Sequence, residues 1–115
     1  MKKDVYQMLG FARKAGLVSV GTMAAKTSLV RKRARLLVMA SDISPRTQES
    51  LIGECKKNGI PWIVVGDKYK LGASVGKAYR VAVTINDGNF AQAILRLMEP
   101  GENQANLTGV VEWRK

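Results

Sequence analysis

The sequence contains no histidine and one cysteine, Cys55, in 115 residues. Without histidine there is no Ser/His or Cys/His nucleophilic pair, no imidazole general base and no histidine-ligated zinc site. One cysteine excludes an internal disulfide and a multi-cysteine metal cluster. On an otherwise apolar helix face, Cys55 reads as a small core residue. A Walker-type Gly-Lys-Ser loop and a dinucleotide-binding glycine fingerprint are also missing. No stretch approaches the ~20 apolar residues that cross a bilayer. The opening MKKDVYQMLG puts Asp4 and Gln7 where a signal peptide would carry its apolar run. These absences lead us to expect a soluble, cytoplasmic, non-enzymatic protein in a reducing compartment. No cofactor, metal, small-molecule substrate or membrane partner is expected.

Acidic residues are scarce too. Nine Asp and Glu stand against nineteen Lys and Arg, a net charge of +10. Hydrophobic content of 46% with 24% charged residues is ordinary for a folded domain, and the length suits a single one. Charge on this scale concerns partners rather than fold, and a polyanion is the natural partner. An anionic membrane surface would attract it as well, so charge alone does not choose.

Val5, Met8, Leu9 and Ala12 recur at helical intervals, with Arg13 and Lys14 in the last turn and Gly16 beyond, which predicts a helix over 4–14. A short strand over 17–20 follows. Thr22 is then the expected N-cap of a second helix reaching about Arg33. The apolar run LLVMA within 35–40 suits a strand buried on both faces, and PWIVV over 61–65 is a second. Between them Asp42, Ile43, Ser44 and Pro45 form a turn and cap for a helix over 47–58. Residues 67–74 read as a short helix, 76–79 as a loop and 80–85 as an alternating strand. Asn86, Asp87, Gly88 and Asn89 form a turn into an amphipathic helix over 90–98, which Pro100 stops. About five helices alternate with four strands, which argues for a central sheet with helices on both faces. Residues 1–100 are expected to form one domain. The polar segment 101–115 is either a flexible tail or, through Val110 to Trp113, a docking element.

Two clusters can meet a polyanion. The Gly21-Thr22 turn opens the second helix with unpaired amides and a positive dipole end. Residues 22–35 then carry Lys26, Arg31, Lys32, Arg33 and Arg35 and no acid. Arg31 lies a little over one turn from Lys26 and Thr27, so one helix side is expected to form a basic ridge. The second cluster is Lys68, Lys70, Lys77 and Arg80, with Tyr79 among them. Tyr79 is open to two readings, a ring for stacking on a base or a partly buried residue at a strand start. Asp42, Asp67 and Asp87 all adjoin turns, where capping is the expected role.

Gly21-Thr22 opening a helix, RARLLVMASD ending at Asp42, then Pro45, Cys55 and NGIPWIVVGDKYKLGASVGK ending at Lys77 together resemble a known family. It is that of the kink-turn-binding ribosomal proteins of the large-subunit "seven-Ae" and "thirty-e" type. LGFARKAGLVSVG is similar to its short bacterial branch. The resemblance spans roughly residues 4–98. It implies an α/β fold, a three-layer α/β/α sandwich with a mixed central sheet of about four strands and about five helices. It also implies binding of structured RNA, possible sources including ribosomal RNA, at sharply bent stems with tandem sheared G·A pairs.

By the resemblance, Gly21 and Thr22 match the guanine-reading turn and Arg31 the phosphate-holding cation. Lys68 matches the lysine that starts the short helix, and Lys77, Ala78, Tyr79 and Arg80 occupy the loop that covers a flipped nucleotide. Where the family's strongest binders carry Asn-Glu and then a Lys, this chain has Met23, Ala24 and Thr27. Ala24 cannot accept from a guanine edge as a carboxylate does. Lys26 is displaced by one position, about 100° around the helix. The candidate RNA-binding set is therefore Gly21, Thr22, Met23, Ala24, Lys26, Thr27, Arg31, Lys32, Lys68, Lys77, Ala78, Tyr79 and Arg80, in an expected monomer. A second reading stays open: Met23, Ala24 and Ala25 make the same edge apolar enough for a protein partner or a homodimer.

Overall fold

Leu36–Ala40 is buried at all five positions and forms strand β2, on which the rest of the architecture is assembled. In the computed structural model, which describes residues 4–98, β2 is parallel to β3 (Trp62–Val65) and antiparallel to β4 (Ala82–Ile85). β4 pairs antiparallel with β1 (Val18–Val20), so the mixed sheet has the order β1-β4-β2-β3. Because side chains alternate across a strand, β2 supplies both cores. Leu36, Val38 and Ala40 enter a cluster with Leu9, Leu71, Val75 and Ile94. Leu37 and Met39 enter the opposite one with Ala25, Leu29, Leu51, Cys55 and Trp62.

These clusters define the outer layers. Helices α1 (Val5–Lys14), α4 (Lys68–Ser74) and α5 (Gly88–Met98) cover one face, while α2 (Thr22–Val30) and α3 (Pro45–Asn58) cover the other. This is the three-layer sandwich, with five helices and a mixed four-stranded sheet among the described residues. Cys55 is fully buried in the α2–α3 core, and burial together with the charge of Glu54 pushes its thiol up to about 12. No helix among the described residues is long and apolar enough to cross a membrane.

Local chemistry explains where most elements begin and end. Asp4 and Gln7 form a reciprocal capping box at α1. Ser44 caps α3 with Pro45 in its first turn, and Gly59 (φ 67°) ends it in the left-handed conformation. Asp67 accepts from the Tyr69 and Lys70 amides, and Asp87 accepts from that of Phe90. Asp42 accepts from the Lys68 amide at 3.0 Å, tying the turn after β2 to the start of α4.

Several boundaries shift by a residue or two, α3 starting at Pro45 and α5 at Gly88, and two shifts bear on the basic clusters. β4 begins at Ala82, which leaves Arg80 in the preceding loop. Helix α2 ends at Val30 rather than near Arg33, because Lys32 takes a left-handed conformation (φ 61°). The amides of Lys32 and Arg33 then turn back to the carbonyls of Leu29 and Ser28, at 3.1 and 2.9 Å. The expectations for Pro100 and for residues 101–115 fall outside the described residues.

Candidate nucleic-acid interface

The turn between β1 and α2 is built on Gly21, whose φ of 101° and ψ of 159° suit only glycine. Its amide donates to the Ala82 carbonyl at 2.9 Å, extending the β1–β4 ladder, and its carbonyl accepts from Ala25 at 2.8 Å. Gly21 is therefore the cap residue, and Thr22 is already the first helical residue. This corrects the expectation that the Thr22 hydroxyl caps α2. No side chain caps the helix, so its first-turn amides open onto the surface with the positive end of the dipole.

Arg80 lies across this turn. A Cβ placed on Gly21 would sit 3.8 Å from Arg80 Nε and 3.9 Å from its Cδ. The loop holding Arg80 is pinned to α4: Arg80 N–H donates to the Lys68 carbonyl at 3.0 Å, and Lys77 N–H to that of Gly72 at 2.9 Å. Arg80 Nη1 also donates to the Tyr79 carbonyl. Close approach depends on Gly72, since a Cβ there would lie 2.5–2.8 Å from the Tyr79 backbone.

The pinned loop and the start of α4 each present a ring. Tyr79 is 54% exposed and Tyr69 59%, and they meet edge to face with centroids 6.4 Å apart. The Lys68 ammonium stands 5.4 Å from the Tyr69 centroid and 5.7 Å from that of Tyr79, within cation–π range. Of the two readings of Tyr79, exposure favours the stacking ring. Tyr69 escaped the sequence reading; its only signal was an aromatic between Lys68 and Lys70. Lys77 and Ala78 are exposed on the same loop.

The basic ridge is narrower than the sequence implies. Among the five cations of residues 22–35, only Lys26 belongs to the body of α2, and Arg31 is its C-cap. Met23, Lys26, Thr27, Val30 and Arg31 line a shallow groove of about 430 Å³, which does bring Arg31 beside Lys26 and Thr27. Its floor is apolar, with Met23 85% and Val30 53% exposed. Lys26 Nζ donates to Ser50 Oγ on α3 at 2.9 Å, so it leans away from the Gly21 turn. Lys32 lies past the end of the helix and is not among the residues lining the groove. Arg33, which was not a candidate, lines a second hollow of about 390 Å³ with Ser19, Met23, Ala24, Thr27 and Ser28.

Under this edge lies a polar knot. Asn86 Oδ1 accepts from Ser28 Oγ at 2.7 Å and Thr84 Oγ1 at 3.0 Å, and its Nδ2 donates to Ser19 Oγ at 2.9 Å. It ties α2, β1 and β4 together and so fixes α2 relative to the sheet. Among the described residues, no group of three or more Cys, Asp or Glu side chains could hold a metal.

Comparison with known proteins bears on the family and the fold. The model of the ribosomal protein L7Ae/L30e/S12e/Gadd45 family matches residues 3–95. The chain is 29% identical over 94 residues to RNA-binding protein YlxQ of Bacillus subtilis (strain 168), covering 82% of this chain and 94% of that protein. It is 32% identical over 88 residues to large ribosomal subunit protein eL8 of Picrophilus torridus, covering 76% and 69% respectively. Among solved structures, a protein of unknown function from Bacillus halodurans C superposes with a TM-score of 0.81 at 25% identity, over 86% of this chain and all of that one. The 15.5kD RNA binding protein of Giardia lamblia shares the fold, with a TM-score of 0.71 at 21% identity over 79% of this chain and 81% of that one.

Proposed function

Because this chain belongs to the ribosomal protein L7Ae/L30e/S12e/Gadd45 family, we propose that it is a non-enzymatic protein that binds structured RNA. Ribosomal RNA or another stem bent in the kink-turn manner is its target class. One observation carries the reading. Two exposed tyrosines, Tyr69 on α4 and Tyr79 on the loop that follows it, flank the Lys68 ammonium, and Arg80 of that loop lies over the start of α2. Rings that stack on an unpaired base thus adjoin cations and backbone amides that hold phosphates. The names of the relatives YlxQ and eL8 point the same way.

In this reading Gly21, Thr22 and the first-turn amides of α2 meet base edges or phosphate. Arg31, with Lys26 beside it, holds the strand that runs along the helix. Tyr69, Tyr79 and Lys68 cover an extruded nucleotide, with Lys77 and Ala78 at the rim. Met23, Ala24 and Thr27 present no charge to that strand, so phosphate contacts supply most of the affinity, and binding weakens steeply with salt. The protein acts as a monomer, with no cofactor.

A protein partner or a second copy is the alternative occupant, favoured by the exposure of Met23 and Val30 in the α2 groove. The discriminating experiment measures binding to a kink-turn RNA and to a straight duplex of equal length, in magnesium at two salt concentrations. Tighter binding to the kinked RNA is expected. Equal, salt-sensitive binding to both would reduce the site to a backbone-directed basic surface. No binding to either, with a dimer that forms as concentration rises, would overturn the proposal in favour of the alternative.

A further inference from the structure

Positive charge gathers at both ends of α2. Lys68 and Arg80 stand near its start. At its far end, the amides of Lys32 and Arg33 close the helix onto Leu29 and Ser28 in the double-bonded pattern that normally uses glycine at its left-handed position. Here that position is Lys32, with φ 61°, the only non-glycine residue of positive φ among the described residues. A lysine held where glycine is favoured keeps a cation at this end against the preference of the backbone.

α3 finishes beside it. Asn58 Nδ2 donates to the Leu29 carbonyl at 3.3 Å, which brings Lys57 to the same end of the molecule. Arg35 also lies there, next to Gly59 and Gly88 at the start of α5. The ordinary explanation for cations at helix C-termini is the dipole, but two helices supply only about one elementary negative charge between them. Among the described residues, Glu54, 3.7 Å from Lys57, and Asp87, bonded to the Phe90 amide, are the nearby acids. Against Arg31, Lys32, Arg33, Arg35 and Lys57 they leave a surplus of about two positive charges after the dipoles are met.

We propose that Lys32, Arg35 and Lys57, with Arg33 on the β1 side of the same helix end, form a second phosphate-binding surface, which holds the backbone of an RNA stem continuing past the site at the Gly21 turn. This rests on the RNA-binding reading above. The ligand chemistry is phosphodiester: two arginine forks and two ammonium groups suit backbone oxygens and carry no base readout. The two ends are joined by the exposed face of α2, nine residues and so about 14 Å long. One stem can therefore reach both.

The test compares two kink-turn RNAs, one with a short stem and one with that stem lengthened by a full helical turn. Wild-type protein should bind the long-stem RNA at least tenfold more tightly at low salt. In the triple variant Lys32→Gln, Arg33→Gln, Arg35→Gln that ratio should fall to about one, and the salt slope on the long-stem RNA should lose about 2 to 3 units. Lys32→Gly guards against a folding artefact. It should melt at a higher temperature, since glycine suits the left-handed position, yet lose about one unit of salt slope. An unchanged ratio in the triple variant, or a wild-type ratio of one, overturns this inference alone. Wild-type protein that binds neither RNA overturns the RNA-binding reading as well.

Discussion

Ser28 Oγ donates to Asn86 Oδ1 at 2.7 Å, a bond between residues 58 positions apart that seats the last turn of α2 on the end of β4. Ser28 and Thr84 are both buried, so the amide of Asn86 is what keeps their hydroxyls paired. Asn86→Ala would strand them, and unmade buried hydrogen bonds cost roughly 1–3 kcal/mol each. We expect a loss of about 2–4 kcal/mol in urea unfolding, with an unchanged m-value. A loss below about 0.5 kcal/mol would mean that water replaces the amide.

Gly72 is the point at which the loop carrying Tyr79 and Arg80 touches α4. In Gly72→Ala the new methyl would lie 2.5 Å from Tyr79 Cα, and backbone atoms cannot yield as a flexible side-chain end can. Overpacking of this kind costs roughly 1–3 kcal/mol. Because the displaced segment carries Tyr79 and Arg80, RNA affinity should fall together with stability. Gly53→Ala is the control: that glycine is exposed in α3 with nothing within 4 Å of a Cβ, so the change should be neutral or stabilising.

How much of this was legible in the sequence depends on whether a signal was local. The Ser44-Pro45 cap and the apolar run LLVMA act within a few residues, and the elements they bound lie close to where the sequence put them. The end of α2 was not legible, because nothing in RKRAR announces a lysine in the left-handed conformation. Thr22 looked like a cap since threonine before a helix usually is one, but the φ of Gly21 and its bond to Ala82 move the helix start back by one residue. Tyr69 and Asn86 gain their roles only in three dimensions. One ring meets another ten positions away across Gly72, and a residue read as part of a turn becomes the hub of a knot between three elements.

Cys55 makes the stability pH-dependent in the alkaline range. Its thiol is raised from 9.0 to about 12 in the fold, chiefly by burial and then by Glu54. The neutral thiol is the form that the folded state favours. This contribution is whole below pH 9 and declines as the pH rises toward 12, where the unfolded chain ionises and the folded one does not. The decline approaches about 1.4 kcal/mol per pH unit. Thermal melts from pH 8.5 to 10.5 should fall more steeply for wild type than for Cys55→Ala, even though the variant starts lower from its small cavity. Parallel curves would show that the thiol is not what titrates. A thiol-specific reagent at pH 8 should react only on unfolding.

The paired rings offer the sharpest separation of stacking from charge. Tyr69 and Tyr79 expose more than half of their surface, so neither contributes much to the core. Base stacking on an aromatic side chain is worth roughly 1–3 kcal/mol. Tyr79→Ala should therefore weaken binding to an RNA with an extruded nucleotide by about 5- to 150-fold, while Tyr79→Phe, which keeps the π face, should stay within about threefold. The salt slope should not move in either variant, because no phosphate contact is removed. Arg31→Ala should do the reverse, lowering the slope by about one unit and weakening kinked and straight RNA alike. Calorimetric titrations at three salt concentrations would measure both quantities. A Tyr79→Phe variant as weak as Tyr79→Ala would assign the role to the hydroxyl and remove stacking from the site.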